Sequence, residues 1–513
     1  MTMKKIIFIA ISALTALFVS CDMNKLPYSS IDESQGIQSM SDADQLRVSI
    51  YSPTKGMFGG GRWDIEDMRG GMFNAMADFG NYYGLFYAWD MQTNDSDVES
   101  IWYADYNLIA SMNYAIGAYT NLLKNGTDAI TGKALTDDEK DALELYIAEA
   151  YMTRIMAYWD LVTKFCVAYD ADTAANEYGL PLVSEYAPTS DNTKYPGRSS
   201  LEETYQFILS DLEKASEITT KGEANSKYWT IDAVNAMRAR VLLNMKDYAN
   251  AADVALEVIN TNNYALAVGE DGQKGLWEKD TSSELIFVSA CNLNDTPTST
   301  GSLYIYDNEV GDGSTPDPQY IPSKTLLDLY NKEFDARYSI YYATRKVNVE
   351  GAGEGNLELF YKFQGNPALR TSDKLNYKNA GKPFRIAEMY LTLAECYAAL
   401  ADYANAAKWV NLLRVSRIDS EGNPNLPATA GIYNSIKEEW SREYVGEGFR
   451  MINMKRWGDT VIRGTSQSSA MTKGGDKYDG LVRDITDSRC ILPIPKTEID
   501  SNPQIKNQQN PGY

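Results

Sequence analysis

One six-residue string occurs twice in this chain. Asp247-Tyr248-Ala249-Asn250-Ala251-Ala252 returns as Asp402-Tyr403-Ala404-Asn405-Ala406-Ala407. Each copy follows an Ala/Leu-rich stretch with helical spacing and opens another. Small alanines let paired helices approach closely, and Tyr248 and Tyr403 are placed to plug the gap at the turn. A helix pair of this kind cannot bury its apolar face alone and stacks on its neighbours, as tetratricopeptide units do. The two copies are far apart, so the array is interrupted and the intervening chain carries something else.

Helical periodicity runs through much of the rest. Leu143, Ile147, Tyr151, Ile155, Tyr158 and Val162 recur at spacings of three and four, as do Ile386, Tyr390, Leu393, Tyr397 and Leu400. Ser199 or Ser200 caps a predicted helix over 201–218, with Glu202 and Glu203 in its first turn. A single further helix is predicted over 432–457. Three stretches lack strong periodicity: 57–102, 266–320 and 347–382. Loops this long in a compact protein are commonly functional. Leu285 to Val288 is a strand candidate inside the second. The expectation is a mainly α fold of tetratricopeptide-like helix pairs, with an irregular loop-rich lobe and minor short strands. At 513 residues the chain exceeds what one hydrophobic core usually serves, so two lobes are expected.

Composition narrows the function. Acidic residues outnumber basic ones 70 to 48, for a net charge of −22, which opposes a nucleic-acid partner. There is no histidine. The usual general base at neutral pH and the commonest metal ligand are therefore missing, and Ser-His-Asp and Cys-His sites cannot be built. No Cys-x-x-Cys pair offers a zinc site. No catalytic residue, metal or cofactor is expected. Glu439 and Glu443 lie one helical turn apart beside Arg442, with Glu447 and Arg450 following; they read as a structural ion-pair network rather than a catalytic carboxylate pair. Asp95, Asp97 and Glu99 read as a solvated turn rather than a calcium loop. The glycines from Gly351 to Gly355 lack the lysine and preceding strand of a phosphate loop.

Residues 1–20 read as an export signal. Lys4 and Lys5 precede an apolar run from Ile6 to Val19, too short to span a membrane comfortably. Phe18-Val19-Ser20-Cys21 resembles a lipobox, with Phe18 where leucine is more usual. Cys21 is the expected lipidation site, and 21–38 the expected tether. No other segment approaches membrane-spanning length, so the expected attachment is a lipid anchor, not a threaded helix. The pairing of Cys166, Cys291, Cys396 and Cys490 stays open, although Cys396 sits on an apolar helical face and reads as a buried free thiol.

Several blocks resemble the SusD/RagB family of Bacteroidetes surface lipoproteins. They are FRIAEMYLTLAECYAALADYANAAKWVNLLRVSR at 384–417, IKEEWSREYVGEGFRMINMKRWGD at 436–459, and the ending ILPIPKTEIDSNPQIKNQQNPGY. EAYMTRIMAYWDLVTKF from Glu149 and NAMRARVLLNMKDYANA from Asn235 are similar to family helices. The ending is the most specific part, and the match runs from about Trp102 to Tyr513. The resemblance implies an N-terminal region over 39–230 and a C-terminal region over 231–513 with an insertion at about 266–382. It implies four tetratricopeptide-like units and an irregular ligand-binding lobe. It also implies a surface position on the outer membrane and a SusC-like TonB-dependent transporter as partner, for which the protein captures glycans or, alternatively, peptides. A pure assembly scaffold is a third reading.

Exposed Trp and Tyr offer a sugar ring a flat apolar face with a polar edge. The expected ligand-binding residues are Trp63, Asp78, Asn81, Tyr82, Tyr83, Trp89, Trp277, Tyr304, Tyr306 and Tyr320. Asn94, Asp95 and Asn308 are further hydroxyl-binding candidates. Trp89 and the Tyr304–Tyr306 pair are the leading rings, whereas Trp102 begins a helical pattern with Tyr106 and Ile109 and is assigned to the core.

Overall fold

The computed structural model describes residues 36–306 and 315–513. Cys21, the leader, most of the tether and Asn308 lie outside the described residues.

The chain enters through α1 (Met40–Tyr51), held by a Ser39–Asp42 capping box, and then α2 (Gly61–Arg69). Two long helices follow. Asp95 caps α3 (Ser96–Asn125), so Asp97 and Glu99 lie in a first helical turn, where acidic groups complement the exposed backbone N–H groups. Thr136 and Glu139 form the capping box of α4 (Asp137–Phe165). Ser200 and Glu203 do the same for α5 (Leu201–Ala215), which stops three residues before the predicted end.

The hexamers open α7 (Tyr248–Asn260) and α11 (Tyr403–Arg417). They follow α6 (Ile231–Asn244) and α10 (Ile386–Ala399). Equal sequences give equal turns. Lys246 and Ala401 both take φ = 61°, and the Asp247 and Asp402 carboxylates each accept from the backbone and side-chain amide of an Asn three residues on. Ala251, Ala252, Ala406 and Ala407 are buried where the helices meet. Helices α3, α4 and α5 pack in sequence, and α7 bridges α6 to α10, which carries α11 and α12 (Ile432–Glu443).

The helix predicted over 432–457 is two helices. After α12 the chain breaks and resumes as α13 (Arg450–Trp457). Gly446 and Gly448 take φ of 78° and 77° in the break, and a Cβ on Gly446 would stand 2.8 Å from the Phe360 and Phe363 rings. Only glycine fits that left-handed, crowded position.

Between the hexamers the chain builds a second hydrophobic core. It includes α8 (Gly269–Glu278) and the strand candidate, realised as β2 (Leu285–Phe287). The stretch over 347–382 is more regular than its sequence suggests. Short α9 (Ala336–Tyr341) runs into β4 (Tyr342–Val349), which pairs antiparallel with β5 (Gly353–Phe360). Alternation is weak there because much of the hairpin projects to solvent. Two short pairings tie the lobe together: β1 (Phe73–Ala75) with β3 (Tyr320–Pro322), and β2 with β6 (Phe384–Arg385).

The expected Glu439–Glu443 network is present, and it joins the two lobes. Glu443, at the end of α12, accepts from Arg337 of α9 (3.0 Å), Arg385 of β6 (2.7 Å) and Arg417 of α11 (2.9 Å). Arg385 also meets Glu284 (2.6 Å) and Glu447 (2.7 Å), and Lys362 meets Glu447 at 2.7 Å. All of these groups are buried. Burial alone would raise the Glu443 carboxyl, but Arg417, Arg385 and Arg337 hold it well below the usual carboxylate range. Cys166, Cys291, Cys396 and Cys490 are free thiols, and Cys396 is fully buried.

Removing one member of a buried charge cluster typically costs about 3–5 kcal/mol. Glu443→Gln is therefore expected to lower unfolding stability by about that amount at neutral pH, read by denaturant titration. The native carboxyl is depressed, so its contribution is present above the ordinary value of 4.5 and is lost as pH falls below it. The gap between the two proteins should narrow on acidification; a constant gap, or none at pH 7, would refute this role.

Candidate functional site

The second core is floored by α2, whose Asp64, Glu66, Asp67 and Arg69 are all buried. The Tyr304 hydroxyl donates to Asp64 Oδ1 (3.0 Å), and the Gly448 N–H donates to Asp67 Oδ2 (2.9 Å). Burial raises the Asp67 carboxyl to about 7 against the hydrogen bonds from Gly448 and Gly446. Burial also holds Asp64 well above the usual range; the Tyr304 hydroxyl opposes this and Asp67 reinforces it.

Above this floor a small polar-aromatic crown faces solvent. Tyr82 is 61% exposed and Tyr306 52% exposed, and Asn81 stands beside Tyr82. The segments that carry them touch. Met76 N–H donates to the Gln319 carbonyl (3.0 Å), Gln319 N–H to the Leu303 carbonyl (2.8 Å), and Asp317 N–H to the Tyr306 carbonyl (3.4 Å). The Tyr320 hydroxyl donates to the Tyr82 carbonyl. Half-buried Asp78 accepts from the Glu350 N–H (2.8 Å) at the tip of the β4–β5 hairpin. Asp317 lies close enough to Asp78 that its carboxyl is raised, by partial burial first and by the Asp78 charge second. Gln319 Oε1 is buried and finds no donor among the described residues.

The crown's backbone is unusual. Asn81, Tyr83 and Tyr306 take φ of 59°, 51° and 42°, a region that side chains other than Asn and Gly rarely enter. Such conformations persist only where the surroundings dictate them, and they cluster at ligand sites. Here Tyr83 is half-buried, its hydroxyl seated on Gly61, where a Cβ would lie 2.3 Å away. The turn is thus pinned onto α2.

Four of the rings expected to meet ligand are instead core. Trp89 is 1% exposed; its indole N–H donates to the Arg69 carbonyl (3.1 Å), and the Arg69 guanidinium stands 5.4 Å from the ring. Tyr304 is wedged against Phe73 and Phe360 with its hydroxyl on Asp64. Tyr320 packs on Phe79 and Tyr87. Trp277 sits between Tyr341 and Phe363 with the Lys362 ammonium 4.2 Å from its ring. In each case the polar or electron-rich part of the ring has an internal partner or a packed neighbour, and no face is left for a sugar. Trp63 is half-buried and lines a small cavity of about 60 Å³ with Trp159, Trp440 and Arg456. Trp102 is core, as expected.

The structure therefore brings together Asp78, Asn81, Tyr82 and Tyr306 of the expected set. It adds Asp317 and Gln319, which carry no motif and become visible only through the pairing of 303–306 with 317–320. Among the described residues no group of three or more acidic or thiol side chains is placed to hold a metal, and no helix is long and apolar enough to cross a membrane.

Two family models match the chain: the SusD family over residues 303–513, and "Starch-binding associating with outer membrane" over residues 23–243. A curated relative, SusD-like protein P38 of Formosa agariphila, is 22% identical, with 72% of this chain and 74% of that protein covered. A SusD superfamily protein from Bacteroides thetaiotaomicron has the same fold at TM-score 0.75 and 25% identity, covering 92% of this chain and all of that one (100%). A laminarin-binding SusD-like protein superposes at TM-score 0.68 and 18% identity, covering 93% of this chain and 100% of that one. The chain belongs to the SusD/RagB family, and with it to binding proteins rather than enzymes.

The raised Asp67 carboxyl makes a pH signature for this floor. In the unfolded chain it ionises near 3.8, in the native protein near 7. Its favourable contribution is whole below 3.8, declines as pH rises to about 7, and is level above. Asp67→Asn, which keeps an acceptor for Gly448, should flatten stability between those limits. Melting temperatures across the range check this; an unchanged slope would place the titrating group elsewhere.

Proposed function

We propose that this protein is a lipid-anchored glycan-binding protein of the outer-membrane surface, which captures oligosaccharides on the Tyr82–Tyr306 crown and delivers them to a SusC-like TonB-dependent transporter. The observation that carries the reading is the pair of exposed tyrosines, Tyr82 in the turn that Tyr83 pins onto α2 and Tyr306 at a left-handed residue, beside Asn81 and the Asp78–Asp317 carboxyls. Tyrosine rings have few side-chain torsions, so they lose little freedom when a sugar stacks on them. The neighbouring carboxylates and amides can then take up hydroxyls. The outer-membrane description of one family model and the laminarin-binding relative support the same reading. Anchoring falls to Cys21, outside the described residues. Docking on the transporter falls to the helical face, the large surface that a stacked array provides. Tethered to its transporter, a weak site still loads, because the local concentration is high; a millimolar site is worth only about −4.1 kcal/mol.

Calorimetric titration of the purified protein against laminarin, starch, other plant, host and microbial polysaccharides, and a peptide digest tests this. Saturable glycan binding is expected. Tyr82→Ala and Tyr306→Ala should each weaken it about two- to twelvefold, from about 0.5–1.5 kcal/mol per ring. Trp89→Ala should act on stability instead, by about 3–5 kcal/mol. Binding to peptides with no response to any glycan would transfer the site to peptide capture, and silence to both would leave a scaffold.

A further inference from the structure

A cleft of about 680 Å³ lies on the inserted lobe beside the end of α8, within the span of about 300–1,000 Å³ typical of ligand pockets. Four chain segments meet to form it, and hydrogen bonds fix each meeting. The Asn225 side-chain carbonyl accepts from the Ser282 N–H (2.8 Å), which sets Lys227 beside the α8 exit that carries Lys279. Val288 N–H donates to the Ser226 carbonyl (2.9 Å) and Ser289 N–H to the Gly381 carbonyl (2.9 Å), which brings the Cys291–Asn294 turn to the same wall. Asp280, at φ = 52° and buried, joins these segments to the fourth. Its carboxylate accepts from Asn366 Nδ2 (2.9 Å), Asn379 Nδ2 (3.1 Å) and the Ala380 N–H (3.0 Å), and pairs with buried Lys382 at 2.7 Å.

Charge in this cleft is lopsided. Asp280 is the one acidic residue among the described lining residues, and Lys382 already neutralises it. Lys227 and Lys279 are exposed, and neither forms an ion pair among the described residues. Two uncompensated positive charges thus share one concavity in a chain whose net charge is −22. Partial burial pushes the Lys227 ammonium below its ordinary value and nearby Lys382 adds to this, against the pull of Cys291 and Asp280. A bound anion would relieve both effects. The neutral lining is also suited to donate. Asn292 Oδ1 is taken up by the N–H groups of Asn294 (2.9 Å) and Asp295 (3.1 Å), which leaves the Asn292 amide N–H groups as donors. No aromatic ring lines the cleft among the described residues, so a neutral sugar has nothing to stack on.

We propose that this cleft binds the anionic group of an acidic glycan, a uronate carboxylate or a sulfate, on the Lys227 and Lys279 ammoniums. The proposal rests on the reading of the protein as a glycan binder and narrows the class of glycan. The overall negative charge repels polyanions, so a local cationic concavity is what admits one that carries the right spacing of charge. With the crown it gives two points of hold on one polymer, which raises avidity.

Calorimetric titration and thiol labelling of the purified protein test it, with oligogalacturonate and a sulfated carrageenan oligosaccharide as acidic probes and laminarin as the neutral one. Cys291 is half-buried in the cleft wall, whereas Cys166, Cys396 and Cys490 are buried, so alkylation of Cys291 read by peptide mapping reports occupancy. At least one acidic probe should bind, weaken as salt is raised, and slow Cys291 alkylation; the probe that does so tells carboxylate from sulfate. Lys227→Gln/Lys279→Gln should weaken that binding about five- to thirtyfold, the range open to two partly exposed ion pairs. Lys227→Arg/Lys279→Arg should retain it, and laminarin binding and the melting temperature should not change in either variant. Acidic binding that leaves Cys291 alkylation unchanged, or that survives the glutamine variant, overturns the proposal. Binding of laminarin alone overturns it too and leaves the glycan reading standing, whereas silence towards every glycan overturns both. Slowing of Cys291 alkylation by an acidic peptide and by neither acidic glycan would give the cleft to peptides and overturn the glycan assignment.

Discussion

Glu443 holds the two halves of this protein in register. Its carboxylate ends α12, yet its three guanidinium partners come from α9 in the inserted lobe, from β6 at the mouth of α10, and from α11. A buried carboxylate cannot be left with fewer partners without a large penalty. The insertion, the helix pair opened by the second hexamer and the C-terminal block must therefore arrive together. The break after α12 serves the same cluster. Gly446 and Gly448 turn the chain on either side of Glu447, which reaches Lys362 and Arg385. Apolar packing drives both cores, but it is non-directional. The ion cluster adds direction, fixing which face of the insertion meets the array.

That rigidity reaches the crown through α2. Asp67 receives the Gly448 N–H from the glycine break, Asp64 receives the Tyr304 hydroxyl, and Gly61 receives the Tyr83 ring. The left-handed turn at Asn81 and Tyr83 rests on this floor through the Tyr83 hydroxyl. Tyr82 follows directly on the Asn81 residue of that turn and precedes Tyr83, so its backbone is placed by the turn while its ring faces solvent. The high native pKa of Asp67 is the electrostatic trace of the arrangement: the carboxyl is buried to complete a backbone turn, and it is held with too little compensation to ionise easily.

Much of the helical architecture is legible in the sequence because its signals are local. The Asp-Tyr-Ala-Asn-Ala-Ala strings specify a cap and a close helix contact within six residues, and both copies give the same turn. Capping boxes at Ser200 and Thr136 mark helix starts in the same way. The Glu439–Glu443 network is legible in kind, since acids one turn apart amid arginines pair more often than they catalyse. Its other members are not: Arg337 and Glu284 stand more than a hundred residues from Glu443, and nothing in their neighbourhoods announces the meeting. The break within 432–457 is missed because the periodicity continues across the glycines, whereas the rings of Phe360 and Phe363 decide the break.

The crown shows where sequence reading stops. An aromatic-rich loop segment and a second one beyond it stand out in the sequence, but which ring faces water depends on what each can bond inside. Trp89 is buried because Arg69 offers both a carbonyl for its indole and a cation for its face; Tyr304 is buried because Asp64 waits beneath it. Tyr82 lies one residue from Tyr83, which takes the seat on Gly61. Tyr306 lies two residues beyond Tyr304, and its carbonyl, not its ring, is bound by the partner strand segment. Both remain exposed because the interior places near them are already filled. Exposure of an aromatic ring is thus settled by competition for a few internal partners, and that competition is a property of the assembled lobe rather than of any stretch of chain.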